Sequence, residues 1–215
     1  ADLSDLCIAA NYIIANDLDE AGAQRIRVLP MALDEEHWCR RERNDDRITV
    51  GWTGSPGMMR YLAANRAGLI VAQQRHPEVR FCIHSGAYPE MDDFKFDYLP
   101  FVPAGEPEVV SQFDIGLIPL PDEHFSRGKS PIKVLQYFSL GVAVIGQPVG
   151  ATGELMVDET NSLFIGPNRK WEDAITLLVK NAALRRQIAA AGQQQFQQHH
   201  TARHIFPRFL ELLRG

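Results

Sequence analysis

The chain has 215 residues, enough for one sizeable domain with a small appendage. Its 45% hydrophobic and 23% charged residues are those of an ordinary globular protein. A formal charge of −5 argues against a duplex nucleic-acid binder, which carries a basic face, and leaves room for a local basic pocket. No run of about 18 apolar residues implies a transmembrane helix. The first five residues carry two acids and lack the basic region of a secretory signal. The three cysteines, Cys7, Cys39 and Cys82, are scattered and lack metal-ligand spacing. Cys7 and Cys82 lie inside apolar runs and are expected in the core, and a reducing, cytoplasmic setting is expected for the chain.

In chain order, Leu6 to Ala10 reads as a strand, Tyr12 to Ala21 as a short helix and Ile26 to Pro30 as a second strand. Met31 to Arg47 is polar and aperiodic, hence a loop. A strand over Arg47 to Trp52 is followed by the turn TGSPG and an apolar-periodic helix from Met58 to Arg75. Val79 to His84 is a short apolar strand, and Tyr98 to Val102 a strand weakened by Pro100. A helical turn over Glu106 to Gln112 leads to a buried strand, Asp114 to Leu120. After a loop from Pro121 to Ser130 come a helix, Pro131 to Leu140, and a strand, Val142 to Gly146. A short helix near Gly153 to Val157 precedes the strand-like SLFIG, and helices are expected over Trp171 to Asn181, Leu184 to His199 and Ala202 to Arg214. Short, nearly continuous apolar strands alternating with helices imply an α/β fold, a Rossmann-like parallel sheet with helices on both faces. The adjacent His199 and His200 point in different directions on a helix and are not a metal pair.

Three strand-to-helix loops carry glycine. In VGWTGSPG, Gly51, Gly54 and Gly57 surround Ser55 ahead of a helix, the layout that lets backbone N–H groups approach a phosphate. The spacing is neither the dinucleotide fingerprint nor a Walker motif, and a plain tight turn is an equal reading. In GKSPIKVLQYF, Ser130 suits an N-cap and Pro131 an N1 position, with Ile132, Leu135 and Phe138 on one face and Lys133 and Gln136 on another. Lys129 and Lys133 crowd a helix end that is already positive, so an anion such as a diphosphate would be well received there; two solvated lysines are the plain alternative. In QPVGATGEL, Gly150 and Gly153 lead to Glu154, which either accepts hydrogen bonds from hydroxyls or complements its own helix. Together the loops point to a nucleotide-like ligand on the C-terminal edge of the sheet.

These stretches, with the opening segment DLCIAANYIIANDLDEAGAQRIRVLPMALD and the strand FDIGLIPL, resemble the C-terminal, donor-binding domain of GT-B glycosyltransferases of the "glycosyl transferases group 1" family. The resemblance covers nearly the whole chain. It implies residues 1–30 as a lead-in and hinge from an N-terminal acceptor-binding domain, residues 31–200 as the Rossmann-like donor-binding domain and residues 201–215 as a C-terminal helix. By the resemblance, Lys129, Ser130, Pro131 and Ile132 surround the diphosphate, and Gly51, Gly54, Ser55 and Lys133 are the further donor- and diphosphate-binding candidates. Gln136 faces the ribose, and Gly150 and Glu154 face the sugar and phosphate. No metal or other cofactor is expected, and the catalytic residues are left unassigned.

Two departures stand out. The family commonly has two glutamates eight positions apart where this chain has Gly128 and Gln136, and Trp52 stands where an arginine is usual. Lys129, Lys133 or Arg60 are the candidates for the compensating charge. The leading reading is the donor half of an enzyme, a hexosyl- or glycosyltransferase passing sugar from a nucleoside diphosphate sugar to a glycan, lipid or protein acceptor with retention, as in polysaccharide biosynthesis. The piece alone is expected to be inactive, and peripheral membrane association of the full-length protein is compatible with it. The second reading is a non-catalytic nucleotide-sugar-binding or interaction module with a degenerate site. A sugar-nucleotide epimerase is a third, disfavoured by the GKSPIKVLQYF stretch.

Overall fold

A computed structural model describes residues 4–42 and 46–214. The ends of the expected lead-in and C-terminal segments, and residues 43–45 of the expected 31–47 loop, lie outside the described residues. The chain begins with strand β1 (Cys7–Ala9), helix α1 (Tyr12–Glu20) and strand β2 (Ile26–Val28). Then follow β3 (Thr49–Gly54), α2 (Met59–Ala64), α3 (Arg66–Arg75), β4 (Arg80–Ser85), β5 (Asp97–Pro100), α4 (Glu106–Val110), β6 (Ile115–Ile118) and α5 (His124–Gly128). The last part holds α6 (Ile132–Ser139), β7 (Ala143–Gly146), α7 (Gly150–Leu155), β8 (Ser162–Phe164), α8 (Trp171–Lys180), α9 (Ala182–His199) and α10 (Ala202–Arg214).

Six parallel strands form one sheet in the order β5-β4-β3-β6-β7-β8. The chain builds outward from β3 to β5, returns to β6 and builds outward again, so the order reverses between β3 and β6. That reversal opens a crevice at the carboxyl ends of the strands. Strands β1 and β2 pair separately in a small parallel sheet, a division the alternating pattern does not reveal. Cys7 is accordingly half-buried rather than in the core, whereas Cys82 is buried and its thiol is pushed up to about 12 by burial.

Strand alternation sorts the core into two layers. Val50, Trp52, Phe81, Ile83, Ile115, Leu117, Ala143, Ile145 and Leu163 face helices α2, α3 and α8. The opposite face meets Phe113 and helices α4 and α6, with Phe196 of α9 behind them. Here the sheet presents Gly51, Gly116 and Gly146. A Cβ on Gly51 would fall inside the Phe113 ring, and one on Gly116 would lie 2.6 Å from the Tyr137 ring. Bare backbone thus lets aromatic rings settle directly on the sheet. Gly192 of α9 admits Phe138 in the same way, so α6 is clasped from both sides and Val134 to Ser139 are all buried.

Several local expectations are corrected. The helix expected over 58–75 is divided at Asn65, whose amide donates to the Tyr61 carbonyl (2.8 Å) and accepts from the Trp171 indole (2.8 Å). The loop before α6 contains helix α5. Ser130 does not cap α6: Pro131 holds the cap position, without a side-chain hydrogen bond. Helix α7 begins at Gly150, so the expected glycine loop is already helical and Glu154 lies exposed within the helix. Pro100 ends the edge strand β5, where its missing N–H costs nothing. Among the described residues no helix is long and apolar enough to cross a membrane.

Candidate functional site

The crevice at the strand reversal is a cavity of about 500 Å³. Its walls are the end of β3 (Trp52 to Ser55), the end of β6 and its continuation (Leu117 to Leu120), and the start of α6 (Lys129 to Val134). Gly86, Phe101, Glu106, Tyr61 and Thr152 complete them. Strands β3 and β6 pair only at Val50–Ile115 and Gly51–Gly116 before they splay. Tyr137 bridges the gap: its hydroxyl accepts from the Thr53 N–H (3.2 Å) and is directed at the Leu117 carbonyl (3.5 Å). The bare surface at Gly116 is what lets the ring reach this position. Tyr137 is therefore a wedge that satisfies backbone groups left over by the opening of the crevice. In the sequence it passes for one more member of an apolar run.

Of the candidate residues, Gly54, Ser55, Lys129, Ser130, Pro131, Ile132 and Lys133 come together on the cavity wall. Gly51 lies in mid-strand, beneath Phe113, and its role there is packing. Gln136 is 4% exposed and does not line the cavity. Gly150 lines an adjoining groove with Asp122, Arg127 and Gln147, and Glu154 faces solvent. Trp52 is buried and forms part of the wall. Arg60 stands outside the lining and donates to the Tyr61 hydroxyl (2.8 Å), which in turn bonds Glu123.

The charge in the cavity is arranged differently from the sequence expectation. Glu106, 9% exposed at the start of α4, accepts from Lys133 Nζ (2.8 Å) and Thr53 Oγ1 (3.0 Å) on Oε1, and from Gln136 Nε2 (3.1 Å) on Oε2. Burial pushes this carboxyl up, but the Lys133 ammonium and the bonds from Lys133 and Thr53 outweigh it and hold it below the usual carboxylate range. His84 sits behind Thr53, with Nδ1 3.1 Å from Oγ1. Since that hydroxyl donates to Glu106, it accepts from the imidazole. Burial pushes His84 below its ordinary value, so the ring is neutral at neutral pH.

Among the described residues, no carboxylate pairs with Lys129. Its ammonium lies 5.9 Å from the Phe125 ring centroid, and burial, with Lys133 beside it, pushes its pKa below the ordinary lysine value. The sequence groups Lys129 and Lys133 at one helix start, and both line the cavity. It gave no sign of Glu106, because the carboxylate and its lysine are 27 residues apart on different helices. The only local signal was an acid in the first turn of a short helix, where the dipole welcomes it.

The chain resembles known proteins in sequence and in fold. A family model described as "Glycosyl transferase-like" matches residues 65–211. A comparison with curated proteins finds no match. Among solved structures, HepE of Anabaena, in complex with UDP and glucose, superposes with a TM-score of 0.76 at 14% identity, covering 99% of this chain and 63% of that one. Sucrose-phosphate synthase of Thermosynechococcus elongatus gives 0.72 at 14% identity, covering 98% and 58%. The C-terminal domain of a glycosyl transferase group 1 family protein (LpcC) of Francisella tularensis gives 0.64 at 17% identity, covering 79% and 98%. The chain thus spans about three fifths of the length of HepE and of the synthase. With the six-stranded parallel sheet and its reversal point, these matches establish that the chain belongs to the glycosyl transferase-like family and has the Rossmann-like fold of the C-terminal domain of GT-B glycosyltransferases.

Proposed function

We propose that this chain is the donor-binding half of a glycosyltransferase that moves a sugar from a nucleoside diphosphate sugar to a glycan, lipid or protein acceptor, with retention. The observation that carries the reading is Lys129, a half-buried ammonium without a carboxylate partner of its own among the described residues, on the wall of a cavity at the point where the strand order reverses. A diphosphate would supply the missing charge, with Ser55, Ser130 and the first turn of α6 as its further hydrogen-bonding surface. HepE, of similar fold, has been seen with UDP-glucose and with UDP.

A thermal-shift series with UDP, GDP, ADP and their sugars tests the reading: one nucleoside diphosphate should raise the melting temperature, and a flat response to all would overturn donor binding. Lys129→Ala should weaken the responding nucleotide about tenfold by calorimetry, the loss of one charge-assisted hydrogen bond. Affinity should also fall with rising pH. A bound anion raises the Lys129 pKa, so its contribution is complete below the depressed free value and is lost as pH climbs through the higher bound one.

One observation favours a second reading. Neither Gly128 nor Gln136 brings a carboxylate from the α6 region to the cavity, as a degenerate, non-catalytic nucleotide-sugar-binding module would show. The two readings separate on turnover by the longer protein that contains this chain, with donor binding common to both.

A further inference from the structure

We propose that Glu106 is the group that takes the ribose hydroxyls of the bound nucleotide, and that Gln136 serves to hold it in place. The inference rests on the donor-binding reading above and adds to it the residue that distinguishes a ribonucleotide from its deoxy counterpart.

A carboxylate has acceptor capacity for about four hydrogen bonds and no donor. In Glu106 three sites are filled, two on Oε1 and one on Oε2, which leaves capacity on Oε2. The residue lines the cavity, and 12% of its side chain is exposed there. Being held ionised by Lys133, it accepts hydroxyls and repels phosphate oxygens. The contacts around it also run in an order. Phe101 at the rim packs on His84 with ring centroids 5.5 Å apart. His84 bonds Thr53, Thr53 bonds Glu106, and Glu106 bonds Lys133, which neighbours Lys129. An aromatic rim, then a carboxylate, then ammonium groups is the order of complements to base, ribose and diphosphate along one nucleotide.

The same geometry explains the amide at position 136. Among the described residues, the only side-chain hydrogen bond of Gln136 is the one from Nε2 to Glu106, 3.1 Å away. A glutamate there would set two buried carboxylates against each other, which drives one of them to take a proton. Carboxylate and amide are therefore a matched pair, with the charge placed on α4 rather than on α6.

The test uses calorimetry on the chain with UDP, GDP and ADP and their 2′-deoxy counterparts. The wild-type chain should bind the ribose form of its nucleotide about tenfold or more tightly than the deoxy form, the effect of one hydrogen bond to a charged acceptor. Glu106→Gln should reduce that preference to about twofold or less, chiefly by weakening the ribose form. Glu106→Asp, which keeps the carboxylate but draws it back from the cavity by one methylene, should leave a preference between those of the wild type and Glu106→Gln, and it keeps the test usable where Glu106→Gln alone does not fold. A nucleotide bound tightly but without ribose preference, or a preference unchanged in Glu106→Gln, overturns the role of Glu106 and leaves donor binding standing. Absence of binding by all three nucleotides overturns both.

Discussion

The two faces of the six-stranded sheet are built on different principles. One is lined by Val50, Trp52, Phe81, Ile83, Ile115, Leu117 and Ile145, and its helices rest on a bed of side chains. The other replaces three of those side chains by glycine and brings Phe113 and Tyr137 down onto the backbone. The first arrangement tolerates adjustment, because aliphatic side chains of similar volume can repack. The second fixes the height of α6 above the sheet, since ring and backbone leave nothing to compress. It is the second face that carries Thr53, His84, Glu106, Lys133 and Tyr137 at its carboxyl edge. Precision in the site therefore comes from missing side chains as much as from present ones.

Substitutions can break this contrast or refine it. Lys133→Ala should act most strongly, because it leaves Glu106 buried and ionised; a stability loss of about 3 kcal/mol in urea unfolding at neutral pH is expected. The depressed folded-state pKa of Glu106 makes the contribution of the pair complete above the ordinary carboxyl value of 4.5 and lost as pH falls through the lower folded value, so the difference between variant and wild type should shrink on acidification. Gly116→Ala, which drives a methyl against the Tyr137 ring, should cost about 2–3 kcal/mol by the same measurement and blunt the nucleotide thermal shift. Tyr137→Phe keeps the packing and removes the hydroxyl; about 1–2 kcal/mol should be lost, with faster amide exchange at Thr53. Ile145→Val on the aliphatic face should cost about 1 kcal/mol and leave nucleotide response unchanged. Should this last change weaken nucleotide response as much as Gly116→Ala, the two faces would not differ in the way described.

Much of this architecture was legible in the residues. The apolar runs at Thr49, Arg80, Ile115 and Ala143 announce buried parallel strands, and GKSPIKVLQYF places a basic helix start on the sheet edge. What escaped was pairing at a distance. Gly51 in β3 reads as phosphate approach or a tight turn until Phe113 is seen to occupy its missing side chain, and Gly116 in β6 gives no sign of Tyr137. Glu106 reads as a helix-start acid until it is found beside Lys133 and Gln136. The separation of β1 and β2 from the main sheet was hidden for a related reason: strand pattern reports burial and not partner choice. Helix α5 was missed because His124 to Gly128 is short and polar, with no apolar stripe to reveal it.

Gly150 at the start of α7 has a consequence for how this protein can change over generations. Its φ is +50°, and a Cβ there would run into the backbone of Arg127 on the neighbouring helix α5. The collision is with main chain, so no replacement at position 127 relieves it and position 150 is confined to glycine. Position 127 is under no such restriction: its side chain is exposed and pairs with Asp122 at the groove beside the cavity. One partner in the contact is frozen and the other is free to vary in chemistry, which lets the rim of the groove diversify among descendants while the two helices stay locked together.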